Sequence, residues 1–251
     1  MTTIKTHPAI EIKNLSKHFM GIKAIDELTI DIPHGVATGL IGPNGSGKTT
    51  LMNVLTGIYK PEFGTIEIKD ACKTRTNIKP TMLRNLKISR TFQDGRLIEQ
   101  LSVEDNLLLT TAENGYWKSL FEINPQKQKN RMEEVLDIIR LQEHRHKRAE
   151  ELSYGQRKLL EVGRSLMQDA NIYFFDEPFT GLFLEVVEHV LDILTNLKKQ
   201  KKTLVIIEHN MSLISRLCDY TIVLDHGRLL ANGSPSEVLK NKKVQEAYLG
   251  Q

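Results

Sequence analysis

Gly42-Pro43-Asn44-Gly45-Ser46-Gly47-Lys48-Thr49 follow the spacing G-x-x-x-x-G-K-[ST]. They sit between the apolar run Val36-Ala37-Thr38-Gly39-Leu40-Ile41 and the stretch Thr50-Leu51-Met52-Asn53-Val54-Leu55. A strand, a glycine turn and a helix start form the context in which such a loop holds phosphate. Glycines let backbone N–H groups converge on an anion that Cβ atoms would exclude, and the following helix turns its positive end to the same charge. Lys48 would reach the β- and γ-phosphates, and Thr49 would hold magnesium. A chance glycine turn is the plain alternative, and the filling of every fixed position argues against it. The expected ligand is a nucleoside triphosphate.

Further along, Asn171-Ile172-Tyr173-Phe174-Phe175-Asp176-Glu177-Pro178 is a short apolar run that ends in two carboxylates. A buried parallel strand has this form when its C-terminal end faces a ligand crevice. Asp176 is placed to order a magnesium shell and Glu177 to activate water, although a strand closed by a surface turn also ends in acids. Leu152-Ser153-Tyr154-Gly155-Gln156 precedes a stretch, from Arg157 to Met167, whose apolar residues recur at helical spacing. Ser153 and Gly155 at a helix start form an anion site.

Taken in order, these stretches resemble the ATP-binding subunits of ABC transporters along nearly the whole chain. The resemblance adds Gln93 in Arg90-Thr91-Phe92-Gln93 and His209 in Val205-Ile206-Ile207-Glu208-His209-Asn210, and it makes Phe19 in Leu15-Ser16-Lys17-His18-Phe19 the aromatic face for adenine. It implies a P-loop NTPase (RecA-like) α/β core with an antiparallel β layer and a helical subdomain insertion. It also implies ATP and magnesium as ligands, contacted by the loop from Gly42 to Thr50. ATP would be sandwiched between the phosphate loop of one subunit and Ser153 and Gly155 of another, in a homodimer or a heterodimer with a second such subunit. Lys48, Glu177, His209 and Gln93 would act in hydrolysis, and Thr49, Gln93 and Asp176 around the metal. A rival reading of His209 is a strand-end histidine with a structural hydrogen bond.

Within the family the resemblance is to ATPases of branched-chain amino acid, urea and short-amide importers. Tyr154 stands where most of the family has glycine, and Glu208-His209-Asn210-Met211 follows the apolar strand. The tail reads Ala231-Asn232-Gly233-Ser234-Pro235 and ends Ala247-Tyr248-Leu249-Gly250. That tail also resembles the lipopolysaccharide-export ATPases, and a soluble ATPase of iron-sulfur-cluster assembly would share the single nucleotide domain. One departure is Thr180-Gly181-Leu182-Phe183-Leu184-Glu185, where the family usually has aspartate after Gly-Leu. The missing aspartate puts coupling between the two ATP sites in doubt and leaves a nucleotide-gated, non-catalytic module conceivable. Lys48, Asp176, Glu177 and His209 speak for catalysis.

The elements that must position these residues are legible in part. Ile10-Glu11-Ile12-Lys13, Leu28-Thr29-Ile30-Asp31-Ile32 and Gly64-Thr65-Ile66-Glu67-Ile68 alternate as half-exposed strands. Val103 to Leu109 and Met132 to Ile139 are helical in pattern, with Ser102 as N-cap and Asp105 at the third helical position. Lys202 to Ile207 and Tyr220 to Asp225 read as further core strands, followed by a Gly227 turn and a polar tail. One domain over residues 1–251 is expected, with core and β layer at about 1–95 and 157–251 and the helical subdomain at about 96–156.

The composition, 40% hydrophobic residues in a chain of 251, supports a sizeable core. No apolar run approaches the roughly 18 residues that cross a bilayer, so membrane-spanning permease subunits are expected as partners. The start lacks the apolar centre of a secretion signal, so export is not expected, and the family resemblance implies a place on the cytoplasmic face of the membrane. Cys72 and Cys218 lack metal-ligand spacing and read as isolated, small buried residues. A net charge of +3 does not call for nucleic acid. The basic clusters near residues 126–131, 144–148 and 198–202 interleave no aromatic stacking surface, and read as solvated helix faces or, less directly, as contacts to anionic lipid. Trp117 and Phe121 read as packing between helices or as part of a groove for the membrane subunit.

Overall fold

The computed structural model describes residues 7–69, 73–75, 78–91, 97–111 and 125–249. Gln93, Cys72, Trp117 and Phe121 lie outside the described residues. The first two strands, β1 (Pro8–Phe19) and β2 (Ile22–Pro33), are joined by Met20 and Gly21, both at positive φ. That is the two-residue turn whose twist suits a hairpin. With β4 (Phe63–Ile68) and β5 (Lys73–Arg75) they make an antiparallel sheet in the order β2-β1-β4-β5. Ile10, Ile12 and Leu15 point into the core while Glu11 and Lys13 pair on the outer face, as the alternation predicts.

The second sheet holds β3 (Ala37–Ile41), β6 (Ile88–Arg90), β7 (Ile172–Asp176), β8 (Thr203–Ile207), β9 (Tyr220–Asp225) and β10 (Arg228–Gly233) in the order β10-β9-β3-β8-β7-β6. All of its pairings are parallel except that of β10 with β9. The central strands are buried along their whole length, which is why they read as continuous apolar runs. Tyr173 and Phe175 enter one core with Leu204, Ile206 and Val223, whereas Ile172 and Phe174 enter the opposite core with Val205, Ile207 and Ile222. The second core is closed by the antiparallel sheet and α1 (Lys48–Leu55).

The first core is closed by α4 (Tyr154–Leu166), α5 (Leu184–Lys199) and α6 (Met211–Leu217), together with α2 (Val103–Leu108) and α3 (Pro125–Ile138). Ser102 caps α2 by accepting from the Asp105 amide at 3.0 Å, as its spacing predicts. Buried Asn106 ties the preceding segment down by donating to the Ile98 and Ser102 carbonyls at 3.0 Å each. The expected 156/157 boundary falls in the first turn of α4, so no chain break separates the helical stretch from the core there.

The basic cluster at 144–148 is paired with acids, Arg145 with Glu133 at 2.8 Å and Glu104 at 3.2 Å and Arg148 with Glu150. One reading changes. The tail beyond Gly227 is not merely polar. It forms β10, α7 (Pro235–Leu239) and α8 (Lys242–Leu249), which return Val238, Val244 and Tyr248 to the core. Cys218 is buried, and burial pushes its thiol up to about 12, an inert group at neutral pH.

Phe175 is fully buried in the central strand of that core. Phe175→Ala is expected to lower stability by about 3–5 kcal/mol. Urea denaturation checks this, and a loss below about 1 kcal/mol would mean that the site collapses around the gap.

Candidate functional site

The site lies at the C-terminal ends of three adjacent parallel strands: β3 delivers the glycine loop, β7 delivers Asp176 and Glu177, and β8 delivers Glu208 and His209. Gly42 leaves β3 at φ 148°, and a Cβ there would lie 2.1 Å from the Leu224 carbonyl oxygen. Gly47, at φ 100°, is pressed in the same way against the Ala24 carbonyl at 2.4 Å. No side chain fits either place, which is the physical content of two of the motif's fixed glycines. The loop is braced from outside. The Gly227 amide donates to the Ser46 carbonyl at 3.0 Å, the Asp26 amide donates to Gly227, and Arg228 donates to the Asp26 carboxylate at 2.6 Å. The turn between β9 and β10 thus holds the loop to β2, a role that the sequence pattern did not announce.

Lys48 is buried, and its ammonium donates to the Gly42 and Pro43 carbonyls at 2.8 Å each. Burial lowers its proton affinity, while the charges of Glu177 and Asp176 nearby act in the opposite direction. Thr49 and Asn44 are exposed beside it, and Pro43 and Ser46 are buried; Gly45 is open to solvent, and Thr50 follows in the first turn of α1. Tyr248 was not foreseen as a neighbour. Its hydroxyl is buried at the Gly42 amide without reaching hydrogen-bond geometry, and burial pushes the phenol up to about 12.

Asp176 is buried; its amide donates to Thr91 Oγ1 and its Oδ2 accepts from Arg90 Nη2 at 3.4 Å. Arg90 also donates to Asn53 Oδ1 and Thr56 Oγ1 of the phosphate-loop helix region, each at 2.7 Å. One buried guanidinium therefore joins β6, β7 and α1. Asp176 Oδ1 is buried and has no hydrogen-bond partner among the described residues. Burial raises the Asp176 carboxyl, against the pull of Arg90.

Glu177 adopts φ 50°, a left-handed conformation rare for a non-glycine residue and common where strain serves a site. Its Oε1 lies 3.1 Å from His209 Nε2 and its Oε2 accepts from Thr180 Oγ1 at 3.3 Å. Because a carboxylate only accepts, His209 carries a proton on Nε2 in this arrangement. Glu208 is buried behind it, with Oε1 accepting the His209 and Asn210 amides at 3.2 and 3.3 Å. Its Oε2 is buried and has no hydrogen-bond partner among the described residues.

Ser153 caps α4 in a reciprocal box with Gln156. Tyr154 lies over the turn after Glu177, its hydroxyl donating to the Thr180 carbonyl at 3.1 Å, and Gly155 faces Val186 of α5. Phe19 stands at the tip of the β1–β2 hairpin, 37% exposed and edge-on to Tyr59 with centroids 5.0 Å apart. Lys17 lies 5.0 Å from the same ring. Phe183 and Leu184 are 87% and 74% exposed at the start of α5. The structure thus brings the loop, Asp176, Glu177 and His209 to one sheet edge. Sequence reasoning missed Arg90, Tyr59 and Tyr248, whose partners are distant along the chain, and Thr180, which meets Glu177 three residues before it. Among the described residues, no group of three His, Cys, Asp or Glu side chains could hold a metal, and no helix is long and apolar enough to cross a membrane.

A family model described as "ABC transporter" matches residues 25–180, and one described as "Branched-chain amino acid ATP-binding cassette transporter" matches residues 228–251. A probable branched-chain amino acid transport ATP-binding protein LivG of Archaeoglobus fulgidus is 34% identical over 248 residues, covering 96% of this chain and 95% of the relative. The high-affinity branched-chain amino acid transport ATP-binding protein LivG of Salmonella typhimurium is 31% identical, covering 98% and 99%. A solved ATP-binding cassette of an ABC transporter in its ADP conformation superposes with a TM-score of 0.86 at 32% identity, covering 98% of this chain and 100% of that one.

Burial raises the Glu208 carboxyl above its ordinary value of 4.5. Folding therefore favours the protonated acid, a contribution complete below the unfolded value and lost as pH rises through the higher folded one. Glu208→Gln, which keeps the shape of the protonated acid, should melt above the parent at about pH 7 and lose that advantage below about pH 4. A variant that melts lower at neutral pH would show that the ionised form is the one the fold prefers.

Proposed function

The chain belongs to the ABC transporter family and is an ATP-binding ATPase, and from that premise we propose that it is the motor subunit of an importer of branched-chain amino acids or related small polar or amide solutes. The observation that carries this reading is the match of residues 228–251 to the branched-chain amino acid transporter model, in a tail whose Arg228 holds Asp26 and whose Tyr248 hydroxyl lies at the Gly42 amide. Membrane-spanning permease subunits supply the passage, and the chain works at the cytoplasmic face as one of two ATPase subunits, identical or paired.

In hydrolysis the Lys48 ammonium exchanges its two loop carbonyls for the β- and γ-phosphate oxygens, and the loop amides and the N-terminal end of α1 share that charge. Phe19, steadied by Tyr59, covers the adenine. The donor set suits magnesium, which is held through phosphates and one or two protein oxygens and not by a protein cage. Thr49 and Oδ1 of Asp176, which has no hydrogen-bond partner among the described residues, would be those oxygens, and the family resemblance adds Gln93. When bound, magnesium would spread the charge that develops on the γ-phosphate. Glu177 orients and polarises the attacking water in line with the leaving group, and His209 positions Glu177 and contacts the γ-phosphate. Ser153 and Gly155 complete the site of the partner subunit.

Glu177→Gln keeps the shape and left-handed backbone of residue 177 while losing the base. It should bind ATP, turn over at least about a hundredfold more slowly, and accumulate as a dimer with ATP and magnesium. In cells lacking the chain it should fail to restore uptake of labelled leucine, isoleucine and valine. A variant that stays monomeric or fully active sinks the assignment of base and sandwich, and uptake unaffected by loss of the chain sinks the transport reading.

Phe183 occupies the N-cap of α5 and makes no capping hydrogen bond. Phe183→Asp should therefore stabilise the isolated chain by about 1 kcal/mol. If Phe183 and Leu184 supply a dry dimer contact, the same change should weaken ATP-driven dimerisation. Thermal melts and the dimer fraction across an ATP titration read the two signs, and unchanged dimerisation would reduce Phe183 to a tolerated surface residue.

A further inference from the structure

Three hydrogen bonds run in series from the start of α4 to the ends of β7 and β8. Tyr154 Oη donates to the Thr180 carbonyl at 3.1 Å, Thr180 Oγ1 donates to Glu177 Oε2 at 3.3 Å, and Glu177 Oε1 meets His209 Nε2 at 3.1 Å. The Tyr154 ring lies against the turn itself, since a Cβ on Gly181 would come within 3.0 Å of its Cε1. Glu177 and Thr180 are the ends of one tight turn, closed by the Thr180 amide on the Glu177 carbonyl at 3.4 Å. Tyr154 is the first residue of α4, next to the Ser153 cap.

We propose that Tyr154 is a positioning residue that couples the two ATP sites of the dimer, by setting the Thr180 turn, and through it Glu177, according to whether the Ser153–Gly155 segment of the same chain has engaged the partner's ATP. This rests on the sandwich arrangement proposed above. In that arrangement Ser153 and Gly155 of one chain serve the partner's nucleotide while Glu177 serves its own. The hydrogen-bonded series is a direct material link within one chain between those two duties. A movement of the α4 start toward a γ-phosphate must either carry the Thr180 carbonyl with it or break the Tyr154 bond. Either outcome changes the donor that holds one oxygen of Glu177. Phe183 stands where the family usually has an aspartate, so this chain lacks the usual carboxylate after Gly-Leu. Tyr154 and Thr180 place two hydrogen bonds at residue 180, three positions before Phe183. Coupling of this kind is a free energy shared by two sites and is tested as one.

Tyr154→Phe deletes one hydroxyl and keeps the ring over Gly181. Thr180→Val deletes the other and keeps the carbonyl. The Hill coefficient of ATP hydrolysis, above 1 in the parent, should fall toward 1 in each variant and no further in the double variant, as expected of two links in one series. ADP binding to the isolated chain, measured by calorimetry, should stay within about twofold, and Thr180→Ser, which retains the hydroxyl, should keep the parent's cooperativity. A parent Hill coefficient of 1, single variants that keep the parent's value, or independent losses that add in the double variant would each overturn the proposal. Failure of Glu177→Gln to dimerise with ATP and magnesium would instead overturn the sandwich beneath it. A dimer that forms while cooperativity ignores Tyr154 and Thr180 overturns the coupling alone.

Discussion

The exit of β3 runs so close to the end of β9 that only glycine fits at position 42, where a Cβ would stand 2.1 Å from the Leu224 oxygen. That approach fixes where the loop begins, and the contact of Gly47 with Ala24 fixes where it ends and α1 starts. Between them the loop's own carbonyls take the Lys48 ammonium, and the Gly227 turn holds Ser46 from behind. The antiparallel sheet, the parallel sheet and the tail strand meet at this knot. Loosening any of the three would misplace amides that have to converge on one anion.

Around the knot the ionisable groups sit in environments that disfavour their charge. Burial lowers Lys48 and raises Asp176 and Glu208, and Arg90 offsets only part of the cost at Asp176. Buried charges of this kind weaken a fold more than they support it. Their arrangement makes sense as preorganisation, because a polyphosphate beside Lys48 favours the ammonium and a cation beside Asp176 favours the carboxylate.

The parts of the molecule legible in the sequence are those whose signal is local. β7 and β8 are buried on both faces and read as unbroken apolar runs, while β1 and β4 are half-buried and alternate. The glycine loop carries its own sterics. β10 was hidden because Arg228 to Gly233 is half-exposed throughout and has no clear period. The capping box Ser234-x-x-Glu237 was present as a cue for α7. Arg90 and Tyr154 escaped for another reason. Their partners lie 34 to 86 residues away for Arg90 and 26 for Tyr154, and no window along the chain contains both ends.

The start of α5 departs from local rules in a way that reaches beyond the site. Phe183 forgoes a helix cap, and with Leu184 and half-exposed Tyr154 it presents a large apolar patch to water. A chain left unassembled carries that exposed patch for its whole lifetime, and chaperones and proteases recognise such surfaces in orphaned subunits. Its abundance in the cell would then follow the supply of whatever covers the patch, so that subunit stoichiometry is kept by degradation of the excess as well as by synthesis.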